Sequence, residues 1–257
     1  MNINEHSIAI IKILVKRDLT LRYKRSFFGV GWTLLNPLLT SFILWIVFSF
    51  IFGPIFPSGQ KYAPYLILGV LFLTFWNQGL TLSAESIVNN RSIITKVKVK
   101  VQLFSLSTTI AAYINFVIGF IPLVIVCILS GQKISLMFPL VFIIGIFFVL
   151  FISGIGLFLS IIFIRFEDAR NITNILLLML GYLTPIFYPI SALSDEVRQL
   201  VELNPLTAFL NCFRWGFFGF GDFHWPDWLS IITYSVFFYW FGNVIFRRNW
   251  PNTVAMI

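Results

Sequence analysis

Residues 134–164 read ISLMFPLVFIIGIFFVLFISGIGLFLSIIFI, a run of 31 residues without a charged side chain. A helix that crosses a bilayer needs about 20 apolar residues. The run is apolar on every face of a helix, whereas the strands of a membrane β-barrel alternate polar and apolar residues over about ten positions. The stretch therefore predicts a membrane-spanning helix and decides the fold class of the chain.

Five more gaps between charged residues are long enough for a crossing helix. They contain 35, 23, 32, 24 and 19 residues and cover positions 26–60, 62–84, 101–132, 171–194 and 228–246. The predicted spans cover about residues 34–52, 63–83, 105–129, 136–164, 171–189 and 228–246. The sequence therefore predicts an all-α polytopic membrane protein with six transmembrane helices, in a single transmembrane domain over residues 1–257.

The composition excludes several classes of protein. The chain is 58% hydrophobic and 11% charged, whereas a soluble domain has about 25% charged residues. A soluble enzyme, a disordered chain, a coiled coil and a disulfide scaffold are excluded on this ground. Two cysteines and two histidines are too few for a metal site, so none is predicted.

The basic residues fall mostly on one side of the predicted membrane. The first segment, the tail and the segments after spans two and four hold 14 Lys and Arg residues, and the opposite segments hold 4. Cytoplasmic loops are enriched in basic residues, so both termini are predicted to be cytoplasmic. The net charge of +8 reflects this topology and contact with membrane lipids. It does not predict nucleic-acid binding, because the charges are divided among four segments.

The first cytoplasmic segment, residues 5–25, is predicted to be an amphipathic helix on the membrane surface. Ile8, Ile11, Val15 and Leu19 recur at helical spacing. Asp18 and Arg22 interrupt the apolar stripe four residues apart, so we expect them to pair. The alternative is a plain basic flank before the first span.

The cytoplasmic segment 84–104 is predicted to contain a short helix that docks a partner. The alternation of Lys and Val over residues 96–101 imitates a strand, but a lone strand beside a membrane has nothing to pair with.

The external segment 191–227 is predicted to form a helical hairpin that enters the outer leaflet and returns. Ser194 is expected to cap one helix, and Asn204 with Pro205 to begin a second one. The second helix, about residues 205–218, is too short to cross a bilayer. Gly216, Gly219 and Gly221 are expected to end it. A helical cap lying flat on the membrane is the alternative.

The chain lacks the residues for its own energy source. It contains no Gly-Lys pair and hence no Walker A motif. The six predicted spans contain no Asp, Glu, Lys, Arg or His, whereas ion-coupled carriers keep ionisable residues within the membrane. If the chain transports a substrate, the energy is expected to come from a separate subunit.

Aromatic residues are abundant, with 31 Phe, 8 Tyr and 8 Trp. Most are expected to face lipid, but aromatic rings also stack weakly on sugar rings, which suits a conduit that must release its cargo. Six helices are too few to enclose a conduit that is wide enough for a polymer. A homodimer is therefore expected. The candidates for lining the conduit are Trp45, Phe72, Phe75, Trp76, Tyr182, Phe187 and Tyr188.

A different class remains open, that of a membrane glycosyltransferase or ligase with its active site outside the cell. It would need an acid/base pair among the external carboxylates. These are Asp195, Glu196, Glu202, Asp222 and Asp227. Helix capping and solvated turns explain the same residues.

Short motifs recur in a fixed order along the chain. They are Arg17-Asp18, Arg22-Tyr23, Phe28-Gly29, Trp32, Asn36-Pro37, Phe75-Trp76-Asn77, Asn89-Asn90 with Ile94 and Lys96, Asp168-Ala169-Arg170, Thr184-Pro185-Ile186, Tyr188-Pro189, Asn204-Pro205-Leu206 and Phe246-Arg247-Arg248. Each is weak alone, but the ordered set resembles the membrane subunit of ABC-type polysaccharide exporters, which export O-antigen, teichoic acid and some capsules.

The resemblance implies a transport subunit rather than an enzyme. It implies a homodimer in the bacterial plasma membrane, a lipid-linked glycan as cargo and two cytoplasmic ATP-binding subunits. ATP and Mg²⁺ would be bound by those subunits, and this chain would have no cofactor of its own. An ABC exporter of a small hydrophobic molecule or lipid is the alternative within the same fold.

The resemblance also implies roles for particular residues. The coupling segment that contacts the ATPase would include Ser86, Asn89, Asn90, Arg91, Ile94 and Lys96. The carrier pyrophosphate would meet Arg22, Lys24 and Arg25 at the cytoplasmic entrance. The external gate would include Asn204, Pro205 and Arg214.

Overall fold

The computed structural model describes residues 3–23, 28–29, 31–54, 56, 60–96, 99–166, 168–220 and 225–253. These residues form α-helices and one 3-10 turn, Ile190–Ala192. The helices are α1 Ile3–Tyr23, α2 Gly31–Phe52, α3 Tyr62–Asn89, α4 Arg91–Ile94, α5 Gln102–Ile118, α6 Phe120–Ser130, α7 Leu140–Arg165, α8 Ala169–Leu183, α9 Asp195–Glu202, α10 Pro205–Phe218 and α11 Trp225–Thr253. The all-helical prediction is confirmed for the described part of the chain.

Five helical segments among the described residues are long and apolar enough to cross a membrane. They are Leu34–Phe52, Tyr62–Asn89, Gln102–Ser130, Leu140–Arg165 and Trp225–Pro251. The predicted span at 171–189 coincides with α8, which has 15 residues and measures about 22 Å at ~1.5 Å per residue. The hydrocarbon core is about 30 Å thick. A crossing there would need the non-helical residues after α8, and the six-span topology stays a prediction.

The segment predicted as one span at 105–129 contains a break between α5 and α6. Pro122 has no N–H to donate to the carbonyl group four residues earlier, so the helical hydrogen bonds are interrupted there. Gly119 lies at the break in close contact with α3, since a Cβ atom on it would stand 2.5 Å from Leu71 Cδ2.

The core of the bundle is a cluster of phenylalanine rings from α3, α7 and α10. The Phe148 ring lies 4.8 Å from Phe72 and 4.7 Å from Phe209, measured between ring centroids. Phe213 packs against Phe72 from α10 at 5.8 Å. The two long helices α3 and α7 thus share one interior with the short α10.

Helices α7 and α11 meet at two glycines. A Cβ atom on Gly242 would lie 2.0 Å from the carbonyl oxygen of Gly154, and one on Gly154 would lie 2.3 Å from the carbonyl oxygen of Phe238. The two backbones are therefore in direct contact, as small residues permit in membrane helix pairs.

Helix α1 packs alongside α5 and buries Leu14 and Val15. The predicted pair of Asp18 with Arg22 is wrong. Asp18 accepts from its neighbour Arg17, with Nη2 to Oδ1 at 2.7 Å, and Arg22 donates to Gln78 of α3. Because α3 offers an amide to Arg22, a contact between helices replaces the one expected within α1.

The segment predicted to form the external hairpin contains α9 and α10. The Asn204 side chain accepts from the Leu206 N–H at 3.0 Å, and Pro205 occupies the first turn of α10, as predicted. Gly219 ends α10 with a left-handed φ of 69°, a common helix ending. Gly216 lies inside α10, so the expectation that it ends the helix is wrong, and Gly221 lies outside the described residues. Helix α10 is largely buried, whereas α9 buries only Val201.

Candidate functional site

A polar groove runs between α1 and the ends of α3 and α5, and we call it the inner groove. It encloses about 580 Å³. Its walls are Arg17, Asp18, Leu21, Arg22, Leu82, Ser86, Asn89, Asn90, Ile93, Thr108 and Ala111. Basic and amide side chains together suit an anionic group that accepts hydrogen bonds.

Arg22 stands where the inner groove meets a second cavity of about 210 Å³, which we call the polar pocket. Its Nη1 donates to Gln78 Oε1 at 3.2 Å, and the side chain remains exposed. The other predicted entrance residues, Lys24 and Arg25, lie outside the described residues.

The polar pocket contains uncharged polar side chains that the sequence analysis missed. Asn36, Thr74, Gln78 and Asn115 line it from α2, α3 and α5. Their signal in the sequence is that amides are uncommon in apolar spans.

The predicted coupling segment divides into exposed and buried residues. Helix α3 continues to Asn89, and the short helix α4 begins after Asn90. Asn89, Arg91 and Lys96 are exposed. They are the exposed members of the predicted coupling set, and Ser92 and Thr95 beside them are exposed as well.

Two predicted coupling residues instead stabilise the end of α3. Ser86 donates to the carbonyl oxygen of Ser83 at 2.7 Å, and Asn90 donates to that of Ser86 at 2.6 Å. Both are buried. Ile94 packs partly buried against Ile87 and the α7–α11 pair. These three positions offer a partner little surface.

The aromatic residues predicted to line a conduit also divide into two groups. Phe72, Phe75 and Trp76 are at most 3% exposed and belong to the ring cluster of the core. Phe75 also lines the polar pocket, and Trp76 lines an apolar cavity between α3, α7, α8 and α11, so their place along a conduit stays a prediction. Trp45 and Tyr182 are exposed by 41% and 66%.

The last two aromatic candidates lie in a non-helical segment after α8, residues 184–188, which we call the carbonyl turn. Phe187 stacks on Phe48 of α2, with ring centroids 5.7 Å apart. Tyr188 is half-buried, and its hydroxyl donates back to the carbonyl oxygen of Tyr182 at 3.2 Å. Both rings thus fasten the turn to its neighbours.

Arg214 of α10 binds the carbonyl turn from inside the protein. Its Nη1 donates to the Pro185 oxygen at 2.8 Å and its Nη2 to the Ile186 oxygen at 3.3 Å. The guanidinium carbon stands 3.4 Å from the ring centroid of Tyr65, a cation–π contact. Burial lowers the pKa of Arg214 to about 10, so the group keeps its charge at neutral pH.

Two tyrosines of α3 complete the attachment. The Tyr65 hydroxyl lies 2.9 Å from the Tyr188 oxygen, and the Tyr62 hydroxyl donates to the Phe187 oxygen at 2.7 Å. Since the turn has no helical ladder, these side chains replace the missing backbone partners. We call Tyr62, Tyr65 and Arg214 the clamp.

A second gate residue, Asn204, also reaches the carbonyl turn. Its Nδ2 donates to Thr184 Oγ1 at 2.9 Å while its Oδ1 caps α10. The predicted gate residues Asn204 and Arg214 are therefore brought to one turn, and Pro205 begins α10 next to Asn204.

The carboxylates predicted to lie outside the cell have separate surroundings. Glu202 pairs with Arg198 at 2.8 Å, and Asp227 accepts from Asn211 at 3.3 Å. Asp195 and Glu196 lie exposed in the first turn of α9, and Asp222 lies outside the described residues. Ser194 stands at the N-cap position of α9 but makes no side-chain capping hydrogen bond, so the expected cap is wrong.

The sequence was compared with known proteins. The O-antigen export system permease protein RfbA of Myxococcus xanthus is 27% identical over 92% of this chain and 90% of its own length. RfbA of Klebsiella pneumoniae is 25% identical over 80% of this chain and 78% of its own. The capsule polysaccharide export inner-membrane protein CtrC of Neisseria meningitidis serogroup B is 24% identical over 82% and 79%.

The pattern of one protein family matches residues 10–218, from the middle of α1 to the end of α10. The match includes both ends of the bundle, with the inner groove, the coupling segment and the clamp. Because it covers most of the 257 residues, the chain belongs to the family of ABC-2 type transporters.

Proposed function

We propose that this chain is the membrane subunit of an exporter that moves a lipid-linked polysaccharide out of the cytoplasm. The observation that supports this most is the similarity to permeases of O-antigen and capsule export over 80% or more of the chain. Two copies would form the pathway, and two cytoplasmic subunits would bind and hydrolyse ATP with Mg²⁺.

The proposed orientation places α1 and the inner groove at the cytoplasmic face of the inner membrane. Both termini are then cytoplasmic, α8 with the carbonyl turn forms the sixth crossing, and α9–α10 enters the outer leaflet. The excess of basic residues on the α1 side supports this arrangement.

The inner groove suits the entry of a phosphate-bearing carrier lipid. Arg22 is exposed within it, and charge-assisted hydrogen bonds to phosphate are about twice as strong as neutral ones. The Gln78 amide holds the guanidinium toward α3. The carrier's phosphate would bind at the groove while its tail stays in the lipid.

Deletion of the gene tests the proposed function. We expect the finished polymer to accumulate on its lipid carrier inside the cell and to disappear from the surface, and the chain supplied in trans to restore it. Unchanged surface and carrier-linked glycans would contradict the proposal and favour export of a small hydrophobic molecule.

Replacing Arg22 by glutamine is expected to slow export without unfolding the chain. The substitution removes a charge-assisted hydrogen bond worth about 1.5–3 kcal/mol, so the affinity for the carrier falls roughly ten- to a hundredfold. The measurement is the rate at which labelled polymer reaches the surface. Lys12→Gln, an exposed change on the same helix, is the control and keeps the wild-type rate. Equal rates for the two variants would exclude this role of Arg22.

Charge reversal at Arg91 is expected to uncouple the ATPase. Arg91 is exposed on α4, and a like charge set against a partner's matching residue costs several kcal/mol, so stimulation of ATP hydrolysis falls about tenfold or more. The assay is hydrolysis by the assembled complex in lipid vesicles. Arg198→Glu, on exposed α9, serves as the control and leaves hydrolysis unchanged. Full stimulation in the Arg91→Glu complex would rule out α4 as the coupling helix.

A further inference from the structure

A third cavity, which we call the outer pocket, lies at the opposite end of the bundle from the inner groove. It encloses about 280 Å³. The residues before α3, the first turn of α3, the residues that follow the carbonyl turn, one side of α10 and the residues after it form this pocket. The lining residues are Phe56, Gln60, Tyr65, Pro189, Ile190, Ser191, Asn211, Arg214, Trp215 and Phe220.

The outer pocket combines flat rings with planar polar groups. Four of its residues are aromatic: Phe56, Tyr65, Trp215 and Phe220. Gln60 and Asn211 contribute amides, and Ser191 contributes a hydroxyl. Small-ligand sites have this composition, with apolar and aromatic walls and a few placed polar groups.

Arg214 forms the inner wall of the pocket and has unused capacity to donate. It is only 5% exposed, and its buried Nε–H has no hydrogen-bond partner among the described residues. Both of its described acceptors are neutral carbonyl groups, and none of the ion pairs among the described residues includes it. A buried cation without a carboxylate favours ligands rich in oxygen acceptors.

The size and chemistry together select the ligand. The volume lies just below the range of about 300–1,000 Å³ that is usual for drug-sized molecules, so one ring fits and a folded chain does not. The aromatic walls offer faces to C–H groups, and the amides can bond neighbouring hydroxyls in pairs.

We propose that the outer pocket binds one sugar ring of the exported polysaccharide as it leaves the membrane. This inference rests on the proposed function and adds to it a place of contact on the outer side. Because the polymer must move on, the contact has to be weak, as in other conduits. The pocket borders the clamp through Arg214 and Tyr65, so a bound ring lies directly against the residues that hold the carbonyl turn.

Protection from labelling tests the proposal on an otherwise intact pocket. Cys127 and Cys212 are buried, so a membrane-impermeant maleimide reports on a cysteine introduced at the surface. We expect Ser191→Cys to be labelled from outside. Labelling should slow roughly tenfold with the polymer's repeating-unit oligosaccharide at about ten times its Kd. Ser194→Cys, exposed at the start of α9, is the control and is not protected.

Binding to altered pockets provides the second test. The probe is the oligosaccharide released by mild acid from the strain's own surface polymer, added to the purified full chain. Loss of both amides in the double variant Gln60→Leu/Asn211→Leu is expected to weaken binding about tenfold. Gln199→Leu, exposed on α9, matches the change in chemistry and keeps the wild-type affinity.

The outcomes separate the two proposals. If the deletion strain loses its surface polymer but the oligosaccharide neither protects Ser191→Cys nor binds more weakly to the double variant, the sugar site is wrong and the export function stands. Protection by glycerophosphoglycerol instead of the oligosaccharide would assign the pocket to a lipid headgroup and overturn the inference. A deletion strain with normal surface polymer would overturn both.

Discussion

Replacing Arg214 by methionine is expected to lower the melting temperature of the purified chain by on the order of 10 °C. Methionine fills much of the same volume but leaves the Ile186 oxygen buried without its Arg214 donor, and the Pro185 oxygen with only the Tyr65 hydroxyl at 3.2 Å. It also removes the cation over the Tyr65 ring. Together these losses correspond to about 3–5 kcal/mol. The measurement is thermal unfolding in detergent, followed by export in cells, which we expect to be abolished.

Two further variants show whether the clamp is responsible. Arg198→Met removes an exposed cation from the neighbouring helix α9 and is expected to leave the melting temperature within about 1 °C of wild type, as surface ion pairs contribute little. Arg214→Lys keeps the charge but not the forked pair of donors, so we expect an intermediate loss. A melting temperature unchanged in Arg214→Met would show that the turn is held by other contacts.

Alanine at Gly242 is expected to prevent α7 and α11 from packing. The added Cβ would lie 2.0 Å from the Gly154 oxygen, and a backbone cannot move aside as a flexible side chain can. Overpacking usually costs about 1–3 kcal/mol, and we expect the upper end of this range or more. The amount of protein in the membrane and its melting temperature measure the effect.

Gly79→Ala is the matched control for that substitution. Gly79 also lies inside a long helix of the bundle, but its added Cβ would meet Ile152 Cγ2 at an ordinary 3.4 Å. Alanine favours the helix by roughly 0.5–1 kcal/mol over glycine, so stability should be unchanged or higher. If Gly242→Ala and Gly79→Ala behaved alike, contact between the α7 and α11 backbones would not limit stability.

The helices themselves could be predicted from charge and from local signals. Gaps between charged residues located the five long helices, and Asn204 with Pro205 marked the start of α10. Such signals lie within one stretch of chain. The partners of Asp18 and Arg22 could not be found this way, because the choice depends on where α3 places Gln78.

Burial was harder to predict than helix position. In a soluble protein the polar faces of helices show which side meets water, but lipid tails are as apolar as a protein core. Phe72 and Tyr182 both lie in predicted apolar spans, so the sequence does not distinguish their surroundings. Phe72 is fully buried and Tyr182 is 66% exposed. The clamp could not be predicted for a different reason. Tyr65 and Arg214 are far apart along the chain from each other and from Pro185, which both of them bind.

The clamp joins parts of the chain that are synthesised at different times. Tyr62 and Tyr65 are made early, and the carbonyl turn follows about 120 residues later. Arg214, the donor that α10 contributes to the turn, is made 28 residues after Ile186. A ribosome stalled after Ile186 and before Arg214 would leave a chain with its long early helices inserted. The carbonyl turn of that chain would still lack the donors of Arg214. The carbonyl turn is thus completed only when α10 reaches it.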